Sequence, residues 1–282
     1  MFSAPVFAVE PTTPPAEAAI KPMDPNLKPL WELGIGGGAT YTPDYPASDQ
    51  NHLWAIPFPY AIYRGEFLHS DRRGGTRARL VKSAGYEINF SGGGGLPSSS
   101  EKNDARRGMP NLEWLAELGP RITFDLVTRP EGSLLRLGLP VRAAYSSNFK
   151  HLRDQGYLFA PELLYDLPNI FGTSYDAFTL LTVNFSDRRF AGYFYGVKPD
   201  YETPSREAYS ARGGYFSSDL SLGLSMPIPA WNLRIAGFTS LTSLHGSANE
   251  KSPLYREPFN ASVSLVVIWI FASSETSVVP ED

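Results

Sequence analysis

A chain of 282 residues that is 42% hydrophobic, 13% aromatic and 19% charged, with no cysteine and a net charge of −4, is long enough for one large domain or two ordinary ones. The interspersed charges leave no basic stripe for nucleic acid, and the missing cysteines exclude disulfide frameworks and thiolate metal sites together. Of the imidazoles, His52, His69, His151 and His245, no two stand at a metal-ligand spacing, and no cofactor is implied.

The chain opens on MFSAPVFA, residues 1–8, which we read as the remnant of a signal peptide with Val9 as the mature start, although a positively charged n-region is missing and the apolar part is short. A Pro-rich segment follows at 9–30. The longest apolar run, LVVIWIFA at 265–272, is far shorter than the roughly 20 residues a spanning helix needs. If the protein crosses a membrane, it crosses as strands.

Twelve segments alternate apolar and polar residues with the period of two that marks strands: 31–42, 52–64, 66–82, 84–95, 114–129, 132–146, 156–166, 175–186, 188–196, 213–228, 231–245 and 258–271. In FSSDLSLGLSMPIP, Phe216, Ser218, Leu220, Leu222, Leu224, Met226 and Ile228 share one face against Ser217, Asp219, Ser221, Gly223 and Ser225. RPEG at 129–132, DLPN at 166–169, SDRR at 186–189 and PIPA at 227–230 carry turn chemistry between them. Consecutive hairpins without crossover helices define an all-β up-and-down meander, either packed into sandwiches or closed on itself.

Alternation alone leaves a soluble sandwich and a membrane barrel even. Charges at mid-strand, Arg77, Arg79, Glu87, Arg121, Asp125, Arg142, Asp219 and Arg234, suit a barrel lumen, and aromatics near strand ends, among them Tyr41, Trp54, Tyr63, Tyr145 and Trp231, suit girdles at two membrane interfaces. The closing strand FNASVSLVVIWIF ends on Trp269 and Phe271, the pattern by which terminal strands of outer-membrane barrels are read for assembly. These features tip the expectation to a closed antiparallel transmembrane β-barrel of about twelve strands over 31–271, followed by a polar tail at 272–282.

The order YTPDYPASDQ, FPYAIYRGEFL, RARL, NDARRGMPNLEW, YDLPN and FSDRRFAGYFYGV, spread from Trp31 to Phe271, resembles the MltA-interacting protein (MipA)/OmpV family of Gram-negative outer-membrane proteins. The resemblance implies residence in the outer membrane among its lipid, no enzymatic activity, and a scaffold that brings a lytic transglycosylase together with a murein synthase in the periplasm. Porin-like passage of small solutes and surface adhesion are the alternatives the family leaves open. The polar tail after Phe271 and the run Gly92 to Gly95 depart from the family pattern.

The residues themselves argue against catalysis. His69, Ser70 and Asp71 are neighbours on an extended segment and point to opposite faces, and His151 stands beside only Arg153 and Asp154. GIGGGAT and SGGGG lack the Lys-Ser/Thr ending of a phosphate loop, so their glycines read as bends or close packing. Arg77, Arg79, Arg121, Arg136, Arg142 and Arg234 either line an anion-favouring pore or pair with Glu87, Asp125 and Asp219 and fill it.

Counting hairpins from a periplasmic N-terminus makes SDRR and PIPA short periplasmic turns and places 198–214 and 245–260 outside. The same count puts the charged stretch 96–113 in the periplasm, where long loops are unusual. Asp104, Arg106, Arg107, Met109 and Trp114 are then candidates for a partner-contact surface or for a plug in the barrel mouth. A slip of one strand in the count would turn the same loop outward.

Overall fold

The computed structural model describes residues 28–63, 68–71, 75–82 and 85–278. The expected leader and nearly all of the Pro-rich segment lie outside them. The strands are β1 (Lys28–Pro29), β2 (Trp31–Pro43), β3 (Asn51–Tyr63), β4 (Leu68–Asp71), β5 (Gly75–Lys82), β6 (Glu87–Gly95), β7 (Trp114–Thr128), β8 (Leu134–Ser147), β9 (Leu152–Phe159) and β10 (Glu162–Leu167). They continue as β11 (Asp176–Ser186), a helix α1 (Arg188–Tyr195), then β12 (Gly214–Ile228), β13 (Leu233–Ser243), β14 (Phe259–Ser273) and β15 (Ser277–Val278).

Neighbours in sequence pair antiparallel from β4 round to β14, and β14 pairs with β2 from Val263↔Tyr41 to Ser273↔Glu32, so the last long strand lies against the first. β3 and β4 are the ends of this order, consecutive in the chain and adjoining, and the meander closes there as a barrel. β9 and β10 both pair with β8 and β11. They are one strand interrupted at Ala160 and Pro161, where the proline has no N–H to give the ladder, so the thirteen-stranded sheet amounts to twelve consecutive strands. β1 and β15 form a separate ribbon, Lys28↔Val278 and Pro29↔Ser277, that ties the two ends of the described chain together.

Burial is inverted relative to a soluble core. Leu53, Leu118, Leu126, Leu222, Val263 and Leu265 stand exposed on the outer wall, while Arg121, Arg234, Asn89 and Thr123 are buried inside. Period-two alternation sends most apolar residues of the described strands outward, and an apolar wall of this extent is stable only against lipid.

Glycines on the inner face let the lumen fill. A Cβ on Gly36 would come within 2.5 Å of the Phe58 ring, and one on Gly93 within 2.8 Å of both Arg142 Nη1 and Glu117 Oε2. The two glycine runs therefore make room, respectively, for an aromatic ring and for an ion pair.

Two expectations about elements are corrected, and they offset each other in the strand count. The segment expected as one strand at 66–82 holds two, β4 and β5, and the residues between them, Arg72-Arg73-Gly74, lie outside the described residues. Residues 188–196, expected as a strand, form α1: Asp187 caps it by accepting from the Phe190 N–H at 2.8 Å, and Phe190, Ala191, Phe194 and Tyr195 bury one helical face. Between these two errors the parity of every strand is reversed. The connection 96–113 consequently lies at the same end as 44–50, 187–213 and 244–258, while the short turns 129–133 and 229–232 share the other end with β1 and β15.

Candidate functional site: a capped lumenal chamber

At the long-loop end the connections fold onto one another as a cap. Its apolar centre joins Tyr45, Met109, Leu112, Phe190, Phe194, Tyr195, Val197, Leu244 and Leu254. Phe190, Phe194 and Phe216 form a triangle of rings with centroids 5.4 to 5.9 Å apart, within the range of favourable aromatic pairs.

Polar staples fix the loops. Arg106, 3% exposed, donates from Nη1 to the Phe194 carbonyl at 3.1 Å and from Nη2 to the Pro110 carbonyl at 3.2 Å, and lies 5.6 Å from the centre of the Tyr45 ring. Burial lowers its guanidinium to about 10. Arg206 donates to the carbonyls of Ala105, Arg107 and Tyr201. Asn103 donates to Asp44 at 2.7 Å and to Ser48, and accepts from the Arg106 N–H. Tyr45 donates to the Leu254 carbonyl at 2.8 Å. The Tyr193 hydroxyl donates to the Glu113 carbonyl and accepts from its N–H. Burial pushes the Tyr45 phenol up and Tyr193 up to about 12.

Beneath the cap is a chamber of about 370 Å³, inside the size range of small-molecule sites. Its apolar wall includes Tyr45, Trp54, Phe190, Phe194 and Phe216, and its polar wall includes Asp44, Glu117, Asn184 and Asp219. Thr242, Ser217 and Asn184 all donate to the Asp219 carboxylate.

Ion pairs line the inner face at and below this level. Glu117 pairs with Arg142 at 3.4 Å, Arg121 with Glu162 at 2.5 Å and also with Asn89, Arg136 with Asp125 at 2.5 Å, and Arg234 with Asp176 at 4.0 Å.

The expected lumen-lining residues fare as follows. Arg77 and Arg79 fall outside the described side chains. Glu87 accepts from Asn89 at 2.9 Å; Arg121, Arg142 and Arg234 are buried or nearly so on the inner face. Among the described residues, the expected partner Asp125 takes Arg136. Arg121 and Arg142 use Glu162 and Glu117 instead, because barrel register and not sequence proximity sets cross-strand neighbours.

The loop candidates separate. Arg106 and Met109 are buried in the cap. Asp104 and Arg107 are exposed and pair with each other at 2.5 Å. Trp114 lies edge-on to Trp54 with centroids 6.3 Å apart. Trp269 and Phe271, the residues expected to signal assembly, project from the outer wall of β14 with ring centroids 5.9 Å apart.

Phe216, expected on the outer apolar face, turns inward. The β11–β12 register slips between Asn184↔Ser217 and Phe185↔Tyr215, and that bulge re-aims the ring into the chamber. Sequence reasoning also missed Phe190 and Phe194, whose helical spacing was legible, and Asn103 and Arg206, for which a polar loop gives no local signal. His151 is exposed, Arg153 pairs with Glu113 at 3.7 Å and Asp154 with Arg189. His69, Ser70 and Asp71 lie outside the described side chains. Among the described residues, the short His52–Asp44 contact at 2.5 Å has no serine hydrogen-bonded to its imidazole.

An apolar wall, a charged inner face, and loops gathered at one end define a membrane-spanning β-barrel of the outer-membrane class. The sequence matches the family described as MltA-interacting protein MipA over residues 35–271, and the chain belongs to that family, as the quoted segments suggested. No curated protein matches. Among solved structures the chain is similar to a bacterial polysaccharide outer-membrane secretin (8% identity, 86% of this chain and 99% of that one, TM-score 0.40). It is also similar to the outer-membrane phospholipase A of Escherichia coli (11%, 86% and 94%, 0.30) and to OpdO of Pseudomonas aeruginosa (8%, 86% and 97%, 0.26).

Proposed function

We propose that this protein is a non-enzymatic outer-membrane scaffold that docks murein-processing enzymes, a lytic transglycosylase first among them, on the periplasmic end of its barrel. The observation that carries the reading is the family match across residues 35–271, whose description names an interaction with MltA.

Short turns face the periplasm in barrels of this class and long loops face outward, so the docking surface belongs at the end with β1, β15 and the turns 129–133, 168–175 and 229–232. Phe171, 96% exposed, and Trp231, 69% exposed, project there, and exposed aromatics of this kind are frequent interface anchors. The contact role first considered for 96–113 passes to these turns, since Asp104 and Arg107 stand at the opposite end.

The pore alternative would need a path past the Arg121–Glu162 and Arg142–Glu117 pairs on the inner face and past the packed cap at the long-loop end. In the scaffold reading, Trp269 and Phe271 serve assembly and the lumen serves rigidity. The test is capture of a purified lytic transglycosylase by the folded barrel. Phe171→Ala with Trp231→Ala lowers capture and Arg107→Ala does not; equal capture by all three, with heat-modifiable gel mobility intact, refutes the docking site.

A further inference from the structure

The scaffold reading leaves the chamber without a use. Protein interiors are close-packed, and here about 370 Å³ stays open beneath the cap. A bulge turns Phe216 toward that space, and α1 presents Phe190 and Phe194 to it. One wall is thus built of aromatic faces.

The charge of the lining is one-sided. Asp44, Glu117 and Asp219 line the chamber, and among the described residues no lysine, arginine or histidine does. Asp44 meets His52 and Glu117 meets Arg142 just outside it. Asp219 is held by three neutral donors, Thr242, Ser217 and Asn184, with no basic side chain among the described residues at ion-pair distance. One carboxylate therefore enters the chamber uncompensated.

We propose that the chamber binds an organic monocation with a compact apolar body, its positive group against Asp219 and its body on the aromatic wall. An anion would meet three carboxylates and no base. A neutral molecule would cover Asp219 without pairing it, and desolvating a charge without a counter-charge costs free energy. A cation gains twice, from the carboxylate and from ring faces within about 6 Å of their centroids.

The test uses the full chain refolded in non-ionic micelles, titrated with benzyltrimethylammonium and followed by tryptophan fluorescence, with empty micelles as blank. Its neutral carbon isostere, neopentylbenzene, and the anion benzenesulfonate are the comparisons. Saturable binding of the cation at least about tenfold tighter than the isostere, with no binding of the sulfonate, is expected. Asp219→Asn should bring the cation close to the isostere, while Asp104→Asn, exposed on the cap, should leave it unchanged. Equal binding of cation and isostere, absence of saturable cation binding, or an unaltered Asp219→Asn overturns the proposal. Should Asp219→Asn not fold, the wild-type ratio of cation to isostere decides alone. Transglycosylase capture is read separately, so failure of either reading is distinguishable from failure of the other.

Discussion

Replacing Arg106 by alanine separates a cap staple from a surface contact. Its two hydrogen bonds, at 3.1 and 3.2 Å to Phe194 and Pro110, are donated by a charged group and are worth about 1.5–3 kcal/mol each. The Tyr45 face adds about 1 kcal/mol. Against this stands the cost of burying the guanidinium: lowering it from its ordinary value to about 10 corresponds to roughly 3 kcal/mol at about 1.4 per pH unit. The net loss for Arg106→Ala is then about 1–4 kcal/mol, centred near 2, which raises the open population of the cap by roughly fivefold to several hundredfold, about thirtyfold at the centre, at about tenfold per 1.4 kcal/mol. The barrel ladder is untouched, so the loss is local. Hydrogen exchange over 98–113 and 188–212 should accelerate by that factor while β7, β8 and β12 keep their protection and heat-modifiable mobility persists. Arg107→Ala, 65% exposed with a partner equally exposed, should change exchange by no more than about 0.5 kcal/mol. If both variants exchange like wild type, Arg106 does not hold the loops together and the cap is not a packed unit.

Three further outcomes follow from the same geometry. Gly119→Ala should abolish folding to the heat-modifiable form, because the new methyl would sit 1.9 Å from the Val141 carbonyl oxygen; Gly37→Ala, with nothing within 4 Å of its Cβ, should fold normally. Asp187→Ala removes the α1 cap bond and should cost about 0.5–2 kcal/mol, read as faster proteolysis between 187 and 213 with the barrel intact. The buried phenols set a pH limit: Tyr193 and Tyr255 rise to about 12, and Tyr45 rises too, against an ordinary 10.0. The folded cap then holds more protons than the open one above pH 10, and its stability, constant below that value, falls as pH climbs from 10 toward 12. Proteolysis of the loops should increase across that window, and Tyr193→Phe should narrow the effect.

The barrel was legible because its causes are local and repeated. Each strand carries its own alternation, and Leu220, Leu222 and Leu224 against Asp219, Ser221 and Gly223 state the outer and inner faces without any partner. Sidedness was not legible, because it depends on parity, and two local misreadings invert it without changing the count. Aromatic-rich FAGYFYG has strand propensity as well as a helical face, and only packing of Phe190 and Phe194 over the lumen decides between them. The capped chamber was less legible still: Phe216 reaches it through a bulge, and the cap above is stapled by Asn103 and Arg206 through loops 59 and 101 residues apart in the chain, as in the 2.9 Å bond from Arg206 to the Ala105 carbonyl. Such contacts leave no period in the sequence.

The account stands most directly on which end of the barrel carries the cap. The chain has no cysteine, so a single introduced thiol is unique. Arg107→Cys, exposed on the cap, should react with a membrane-impermeant thiol reagent on intact cells, while Glu131→Cys, exposed in the β7–β8 turn, should react only after the outer membrane is permeabilised. Labelling of Glu131→Cys on intact cells with Arg107→Cys protected would contradict the sidedness, and with it both the periplasmic docking surface and the outward-facing cap.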